Sequence, residues 1–288
     1  MTDASSQQYR QEKTYKEGSS AHYAYLFVPE DKKQVIQTLY AFLREVTDIL
    51  YVASDSSIAR IKLAWWKAEI DRLFAHQPEH PISQALVEPI QQYGLAKQYF
   101  QYIIESVEMD LNHNRYVDWS SLKKFCTMQS GAFACLIAQV LAGTHESTLR
   151  FAQHLGVAIQ YTHLLRQVGQ DAAQGRIYLP MDFLREHNLK AADILNGKHT
   201  PEFKQCMQAQ MTFAHQLFQE AFMHLDASQR KALRPCLIKA NLSLKLLHSL
   251  SQKDWQVFDH SISLPPLRKL FTATKVWISQ GRFFGWGR

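Results

Sequence analysis

The stretch Gln160–Pro180, QYTHLLRQVGQDAAQGRIYLP, decides the fold of this chain. Its first part is amphipathic at helical spacing, and one face of the predicted helix carries mainly polar residues. The residues on that face are Gln160, His163, Leu164, Gln167 and Asp171. Gly175 ends the helical pattern, and RIYLP then runs extended into a proline. A file of polar groups within an otherwise apolar helical chain predicts the wall of a cavity.

The composition is that of a globular protein with a mildly basic surface. The chain has 288 residues, of which 46% are hydrophobic and 20% charged, enough for a sizeable core in one large domain or two. Its 32 Lys and Arg exceed its 26 Asp and Glu, which gives a net charge of +6. This excess permits an anionic ligand or a membrane surface, and we expect no nucleic-acid partner.

The cysteines and the N-terminus indicate a reducing, intracellular location. The four cysteines form no metal-binding pattern, and we expect buried thiols at Cys126, Cys135, Cys206 and Cys236. The first twenty residues lack the apolar core of a signal peptide, and no uninterrupted apolar run approaches the roughly 20 residues that span a bilayer. We therefore predict a cytoplasmic protein. Residues 1–18 are polar and are predicted to form a flexible segment before a domain at 19–288.

At Gln160–Pro180 the chain resembles the squalene/phytoene synthase family, whose motif is close to Q-x-x-N-x-x-R-D-V-G-E-D-x-x-x-G-R-x-Y-L-P. The blocks LYAFLRE at 39–45 and AWWKAEI at 64–70 carry the same resemblance, which extends from about Gly18 to Ile278. It implies an all-α isoprenoid synthase fold, a single helical domain around a central cavity. The absence of strand alternation and of internal repeats in the sequence agrees with that fold class.

The resemblance also implies a metal site that this chain retains only in part. Family members hold Mg²⁺ between two carboxylate clusters and the substrate diphosphate. The family's four outer acids fall on Thr47, Tyr51, Gln167 and Asp171, so three of the four are not acids. Asp48 remains in the first cluster, which leaves Asp48 and Asp171 as the predicted metal ligands. Thr127 and Ser243 stand where the family has cavity tyrosines, whose rings could stabilise a carbocation.

The cationic residues of the family pattern are better kept than the acids. Carried over by resemblance, the catalytic residues are Asp48, Asp171 and Tyr178. The substrate-binding residues are Ser20, Arg44, Asp110, Gln160, His163, Arg166 and Arg176. Keeping the arginines while losing acids predicts a site that binds an anion directly. The alternative is that the arginines pair with Asp48, Asp110 and Asp171 in a structural network.

Three functions follow from this pattern. The first is a head-to-head prenyl diphosphate transferase of the presqualene diphosphate, squalene or phytoene type, with Mg²⁺ as cofactor; the retained motifs lie closest to bacterial presqualene diphosphate synthases. The second is a weakened or inactive relative, without a cofactor, that binds an isoprenoid diphosphate or another anionic lipid. The third is a non-catalytic protein with a protein partner, similar to the family branch that assists assembly of respiratory complex I. An open apolar cavity favours the first two, and a cavity filled by side chains favours the third.

The C-terminal segment 267–288 combines basic and aromatic residues. Its members are Arg268, Lys269, Phe271, Lys275, Trp277, Arg282, Phe283, Phe284, Trp286 and Arg288. This composition suits a membrane interface and predicts peripheral contact with the inner membrane. The alternative is that the aromatic residues close the helical core while the basic residues are solvated.

Overall fold

Helices of very different lengths build the whole of the described structure. We describe it from a computed structural model, which covers Tyr9, residues 12–52 and residues 55–279. In chain order the helices are α1 (Ser20–Ala24), α2 (Glu30–Val52), α3 (Ser56–Phe74), α4 (Pro81–Gln84), α5 (Val87–Tyr93), α6 (Lys97–Asn112), α7 (Trp119–Cys126), α8 (Ala132–Ala142), α9 (Glu146–Ala173), α10 (Met181–Glu186), α11 (Ala191–Leu195), α12 (Pro201–Met223), α13 (Arg234–Gln252) and α14 (Pro266–Ile278). A π-helical turn, Thr127–Gly131, joins α7 to α8. The predicted all-α class is confirmed for the described residues.

Local signals in the sequence explain where several helices begin. The Asp55 carboxylate accepts a hydrogen bond from the Ser57 amide at 2.8 Å and caps α3. At the start of α7, Asp118 and Ser121 bond each other's backbone amides in a capping box. Pro201 occupies the first turn of α12, where its missing N–H costs nothing. These signals fix where the three helices begin.

Helix α9, which contains the polar file, lies at the centre of the fold and packs against α8, α12, α13 and the π-helical turn. Just after the C-terminal end of α9, Gly175 has φ +74° and turns the chain out of the helical path, as predicted. The Ile177 amide then donates to the Asn114 carbonyl at 3.0 Å, and this bridge ties RIYLP to the end of α6. The helix and the extended segment after it therefore meet α6 at one place.

The core is one continuous apolar cluster that reaches almost every helix. The largest fully buried side chains include Phe42, Phe100, Phe125 and Tyr161. All four cysteines are buried and free, as predicted. Among the described residues, the helical stretch Trp119–Ala142 is long and apolar enough, by length and composition, to cross a membrane. The sequence analysis did not identify this stretch, because polar residues interrupt it. Its most apolar window is 67% buried within the protein, so the core already covers most of this surface.

The two ends of the chain are described only in part. Lys13 pairs with Glu45 at 2.8 Å, and the Tyr15 ring lies 5.0 Å from that of Tyr40, so the end of the predicted flexible segment contacts α2. The domain boundary at residue 18 stays a prediction. Among the residues of the C-terminal prediction, Arg282, Phe283, Phe284, Trp286 and Arg288 lie outside the described residues.

Helix α14 presents two different faces. Trp277 packs on Phe27 at 5.1 Å between ring centroids, and the Arg234 guanidinium lies 4.9 Å from its ring, as the core-closing alternative expects. The opposite face carries four solvent-exposed apolar residues, which we call the apolar stripe: Leu267, Leu270, Phe271 and Ile278. Trp277 thus packs as the core-closing alternative expects, while membrane contact of this segment stays a prediction.

Candidate functional site

A cavity of about 370 Å³ lies where α2, α6, α9 and α13 meet the π-helical turn. One wall is the polar face of α9, and each of Gln160, His163, Leu164, Gln167 and Asp171 lines it. The prediction that this helix forms a cavity wall is confirmed. The cavity is open rather than filled by side chains.

The opposite wall is α2, whose lining residues are Tyr40, Leu43, Thr47, Leu50 and Tyr51. The family's four outer acid positions therefore all border one cavity. Burial raises the pKa of Tyr51, and the negative charges of Asp171 and Asp110 add to that rise. The two helices thus face each other across the site, as the family pattern implies.

Asp110 is held in a dense hydrogen-bonded cluster at the edge of the cavity. Its carboxylate accepts from the Tyr178 hydroxyl at 2.6 Å and from Arg176 at 3.1 Å, and Tyr116 donates to it at 3.4 Å. Burial raises the pKa of Asp110, while the hydrogen bond from Tyr178 and the charge of Arg176 oppose that rise. The cluster unites three predicted site residues, and it leaves Asp110 with its own partners rather than free for a ligand.

Asp171 differs from Asp110 in having little compensation for its charge. It is 8% exposed, and among the described groups none donates a hydrogen bond to its Oδ2. Burial, together with the negative charge of Asp110, raises the pKa of Asp171 to about 7, and Arg176 only partly opposes this. Asp171 is therefore the carboxylate of the cavity that can gain or lose a proton near neutral pH.

Asp48 and Arg44, predicted for the same site, do not line this cavity. Arg44 Nε lies 3.6 Å from Asp48 Oδ2, and Lys13 Nζ lies 3.8 Å from the same oxygen. Arg44 borders an adjacent depression that shares Tyr40 and Thr47 with the cavity. Two of the ion pairs that the structural-network alternative expects are present, Arg44 with Asp48 and Arg176 with Asp110. In the described part of the chain, Asp171 forms no ion pair with an arginine.

His163 and Arg166 contact each other along α9. Arg166 Nη2 lies 3.4 Å from His163 Nδ1, so a neutral imidazole can accept this hydrogen bond. The residue is exposed and lines the cavity. Desolvation, with the nearby charges of Arg166 and Lys239, lowers the pKa of His163 to about 3. Ser20 begins α1 and, like Arg166, lies outside the cavity lining.

The π-helical turn adds residues that our sequence analysis did not identify. Ser130 Oγ donates to Gln160 Oε1 at 2.7 Å, and Gln160 Nε2 donates to Gln129 Oε1 at 3.0 Å. A Cβ at Gly156 would lie 2.3 Å from the Ser130 carbonyl oxygen, so only glycine lets α9 approach the turn this closely. Gly131, the last residue of the turn, has no such clash, because the atom nearest to a Cβ there is Cγ of the Gln153 side chain at 3.3 Å.

A lysine, Lys239 of α13, also lines the cavity and was missed. Its ammonium donates a hydrogen bond to the Tyr40 hydroxyl and lies 5.0 Å from the centre of that ring. Thr127 and Ser243 do not line the cavity. Its aromatic lining comes from Tyr40, Tyr51, Phe125, Phe133 and Tyr178. The cavity therefore has aromatic faces, although none of them comes from Thr127 or Ser243.

The side chains present do not fit a two-cluster Mg²⁺ site. Mg²⁺ wants several oxygen ligands in near-octahedral geometry. The Thr47 hydroxyl instead bonds the Leu43 carbonyl at 2.9 Å, and the Gln167 amide bonds Gln170 at 3.3 Å. Within the described ranges, no group of three His, Cys, Asp or Glu residues could hold a metal ion. The assignment of Asp48 and Asp171 as metal ligands therefore stays a prediction.

Comparison with known proteins identifies the family. The sequence profile of squalene/phytoene synthase matches residues 14–269. A 15-cis-phytoene synthase of Synechococcus elongatus is 30% identical over 85% of this chain and 83% of its own length. A chloroplastic phytoene synthase of an Oncidium hybrid is 28% identical over 85% of this chain and 61% of its own length. The chain therefore belongs to the squalene/phytoene synthase family.

Solved structures agree on the fold. A dehydrosqualene synthase in complex with ligand superposes with a TM-score of 0.83 at 19% identity, covering 97% of this chain and 96% of its own. The squalene synthase HpnC from Alicyclobacillus acidocaldarius gives a TM-score of 0.76 at 21% identity, covering 87% of this chain and 95% of its own. At these sequence identities the likeness shows a shared fold, and it confirms the predicted isoprenoid synthase fold.

Proposed function

We propose that this chain binds an isoprenoid diphosphate, or another anionic isoprenoid lipid, in the cavity and has weak or no Mg²⁺-dependent head-to-head prenyl transferase activity. The observation that carries the proposal is the open cavity of about 370 Å³ in which Asp171 alone keeps a carboxylate at the family's four outer acid positions. The family binds isoprenoid diphosphates and uses a divalent metal for catalysis. A retained cavity with a depleted metal site favours binding over turnover.

The electrostatics of the cavity support the same conclusion. A leaving diphosphate needs its developing charge compensated, usually by metal ions and cations. Here Asp110 is paired with Arg176, and the raised pKa of Asp171 weakens its hold on a cation near neutral pH. Neutral donors such as the Gln160 amide and the cation of Lys239 favour an anion instead.

The non-catalytic assembly protein with a protein partner is the less supported alternative. Such a protein has no use for an internal cavity, and filling one with side chains stabilises a fold. The cavity supports the ligand-binding functions over this one. A cytoplasmic location with peripheral membrane contact is part of our proposal, and the apolar stripe of α14, flanked by Arg268 and Lys275, supports contact with an anionic membrane.

A binding experiment with a non-hydrolysable farnesyl diphosphate analogue tests the proposal. We expect calorimetric titration to give similar affinities in Mg²⁺ and in EDTA, and a turnover assay with farnesyl diphosphate to give no product. Ile159→Trp, which places an indole in the cavity lining, should abolish binding. Leu267→Trp, on the exposed stripe, is the matched control and should bind normally. Micromolar binding that needs Mg²⁺, or efficient Mg²⁺-dependent product formation, would contradict the proposal and support an active synthase.

A further inference from the structure

Lys239 is a cation that lines the cavity and has no counter-ion among the described residues. Its ammonium contacts the hydroxyl and the ring of Tyr40. Among the described residues, no Asp or Glu oxygen lies within ion-pair distance of it. Asp110, the better compensated carboxylate of the cavity, is already paired with Arg176. A half-buried charge without a partner is costly, and an anionic ligand removes that cost.

The position of Lys239 within the cavity suggests what kind of anion it meets. An apolar end pocket of about 50 Å³ adjoins the main cavity, and both are bordered by Ser130, Phe133, Ile159 and Lys239. Beyond them the end pocket is lined mainly by apolar side chains such as Ile137 and Leu155. Lys239 therefore borders both the main cavity, whose lining mixes polar and apolar side chains, and a more apolar extension. A ligand that satisfies both has an anionic head and a hydrocarbon tail.

Other side chains that can donate hydrogen bonds line the same cavity as Lys239. His163 lies close enough for the lysine charge to lower its pKa, and an uncharged ring can donate one N–H. The Ser130–Gln160–Gln129 chain lies at the same junction of turn and α9. No carboxylate belongs to this group of side chains. A positive charge here also disfavours an allylic carbocation nearby, because like charges repel strongly where water is scarce.

We infer that Lys239 is the anchor for the head group of an anionic amphiphile whose tail enters the end pocket, and that it takes over part of the charge compensation that metal ions provide elsewhere in the family. The inference rests on the proposed function, since it names the residue that selects the anion. The shared chemistry is a phosphate or carboxylate on an apolar chain, which an isoprenoid phosphate or a fatty acid could supply.

The test compares charged and uncharged ligands on matched variants. Lys239→Met keeps the length and removes the charge, whereas Lys239→Arg keeps the charge. Lys245→Met is the control on the same helix, because Lys245 bonds Thr272 at 2.6 Å and does not line the cavity. The probes, all titrated in EDTA, are the farnesyl diphosphate analogue, hexadecanoate and farnesol.

We expect Lys239→Met to weaken binding of the anionic probe by at least about tenfold and to leave farnesol within about twofold. Lys239→Arg and Lys245→Met should stay close to the parent. The anion that the parent binds more tightly identifies the source, isoprenoid or fatty acid. Equal affinity of parent and Lys239→Met for the anion overturns the inference while leaving the proposed function standing. An equal loss for farnesol also overturns it, because shape rather than charge then explains the effect. A parent that binds none of the probes refutes both.

Discussion

The protonation of Asp171 gives the sharpest test of how the cavity is built. Asp171→Asn removes the charge at almost constant shape. The carboxyl group is 8% exposed, and its Oδ2 accepts no hydrogen bond from a described group. Burial and the negative charge of Asp110 raise its pKa from 3.8 to about 7. Because ionised Asp171 is disfavoured in these surroundings, the Asp171→Asn variant should be more stable than the parent at neutral pH and above.

The size and the pH range of this effect follow from linkage. The pKa of Asp171 differs by about 3 between the folded and unfolded states, and each pKa unit corresponds to about 1.4 kcal/mol. Ionising Asp171 therefore destabilises the folded state by up to about 4 kcal/mol. Because the folded pKa lies above the unfolded one, the stability that the neutral carboxyl contributes is fully present below pH 3.8. It is lost as the pH rises toward about 7 and stays constant above that. Relaxation of the cavity reduces the cost, so we expect roughly 1–4 kcal/mol.

The assay is urea unfolding of the parent and of Asp171→Asn at several pH values from 4 to 8.5, in EDTA. The difference in unfolding free energy should grow in favour of the variant as the pH rises, and then level off. Asp259→Asn, at an exposed loop position outside the cavity lining, should follow the parent throughout. A variant that is less stable than the parent at pH 8 would show that Asp171 is well compensated, and our account of the cavity would be wrong.

Three further outcomes are expected. The triple variant Thr47→Asp, Tyr51→Asp and Gln167→Asp should gain a Mg²⁺-dependent rise in melting temperature that the parent lacks, because three new carboxylates then border the cavity beside Asp110 and Asp171; equal rises would show that other residues hold the metal. Gly156→Ala should lower the free energy of unfolding by about 1–3 kcal/mol and weaken ligand binding, because its Cβ would meet backbone atoms of the π-helical turn. Gly131→Ala is the control, because the atom nearest to its Cβ belongs to the flexible Gln153 side chain at 3.3 Å. Equal unfolding free energies of the two variants would refute this account. Serine at all four positions of the apolar stripe should reduce co-sedimentation with anionic liposomes without lowering the melting temperature, and unchanged pelleting would exclude the stripe from membrane contact.

The fold was predictable because its signals are local. The polar file of α9, the end at Gly175 and the extended RIYLP segment follow from periodicity and backbone preferences, and each occurs as expected. The close approach at Gly156 was not predictable, because it depends on which helix packs against the turn rather than on the sequence around that glycine. The division of α14 into a packed and an exposed face likewise depends on its neighbours.

The site was predictable only where the family pattern supplied its positions. Resemblance placed Gln160, His163 and Asp171 on the cavity correctly. It gave no account of Lys239, which the family pattern did not mark and which a single lysine in an amphipathic helix does not signal by itself. It also could not separate a cavity position from a neighbouring one, and Asp48 pairs with Arg44 outside the lining.

The energetics of the cavity bear on why it persists. An open cavity forfeits packing, a carboxylate without a hydrogen-bond donor resists ionisation, and a lysine without a counter-ion repels other cations. Replacing Asp171 and Lys239 by apolar residues of similar size would remove the two charge costs. A surface that binds a partner protein requires none of them, whereas an internal anion site requires the lysine and the space around it. Stability given up at one place, in groups that converge on one cavity, is the usual mark of a binding site. On this argument ligand binding, rather than assembly through the outer surface, is the function to test first.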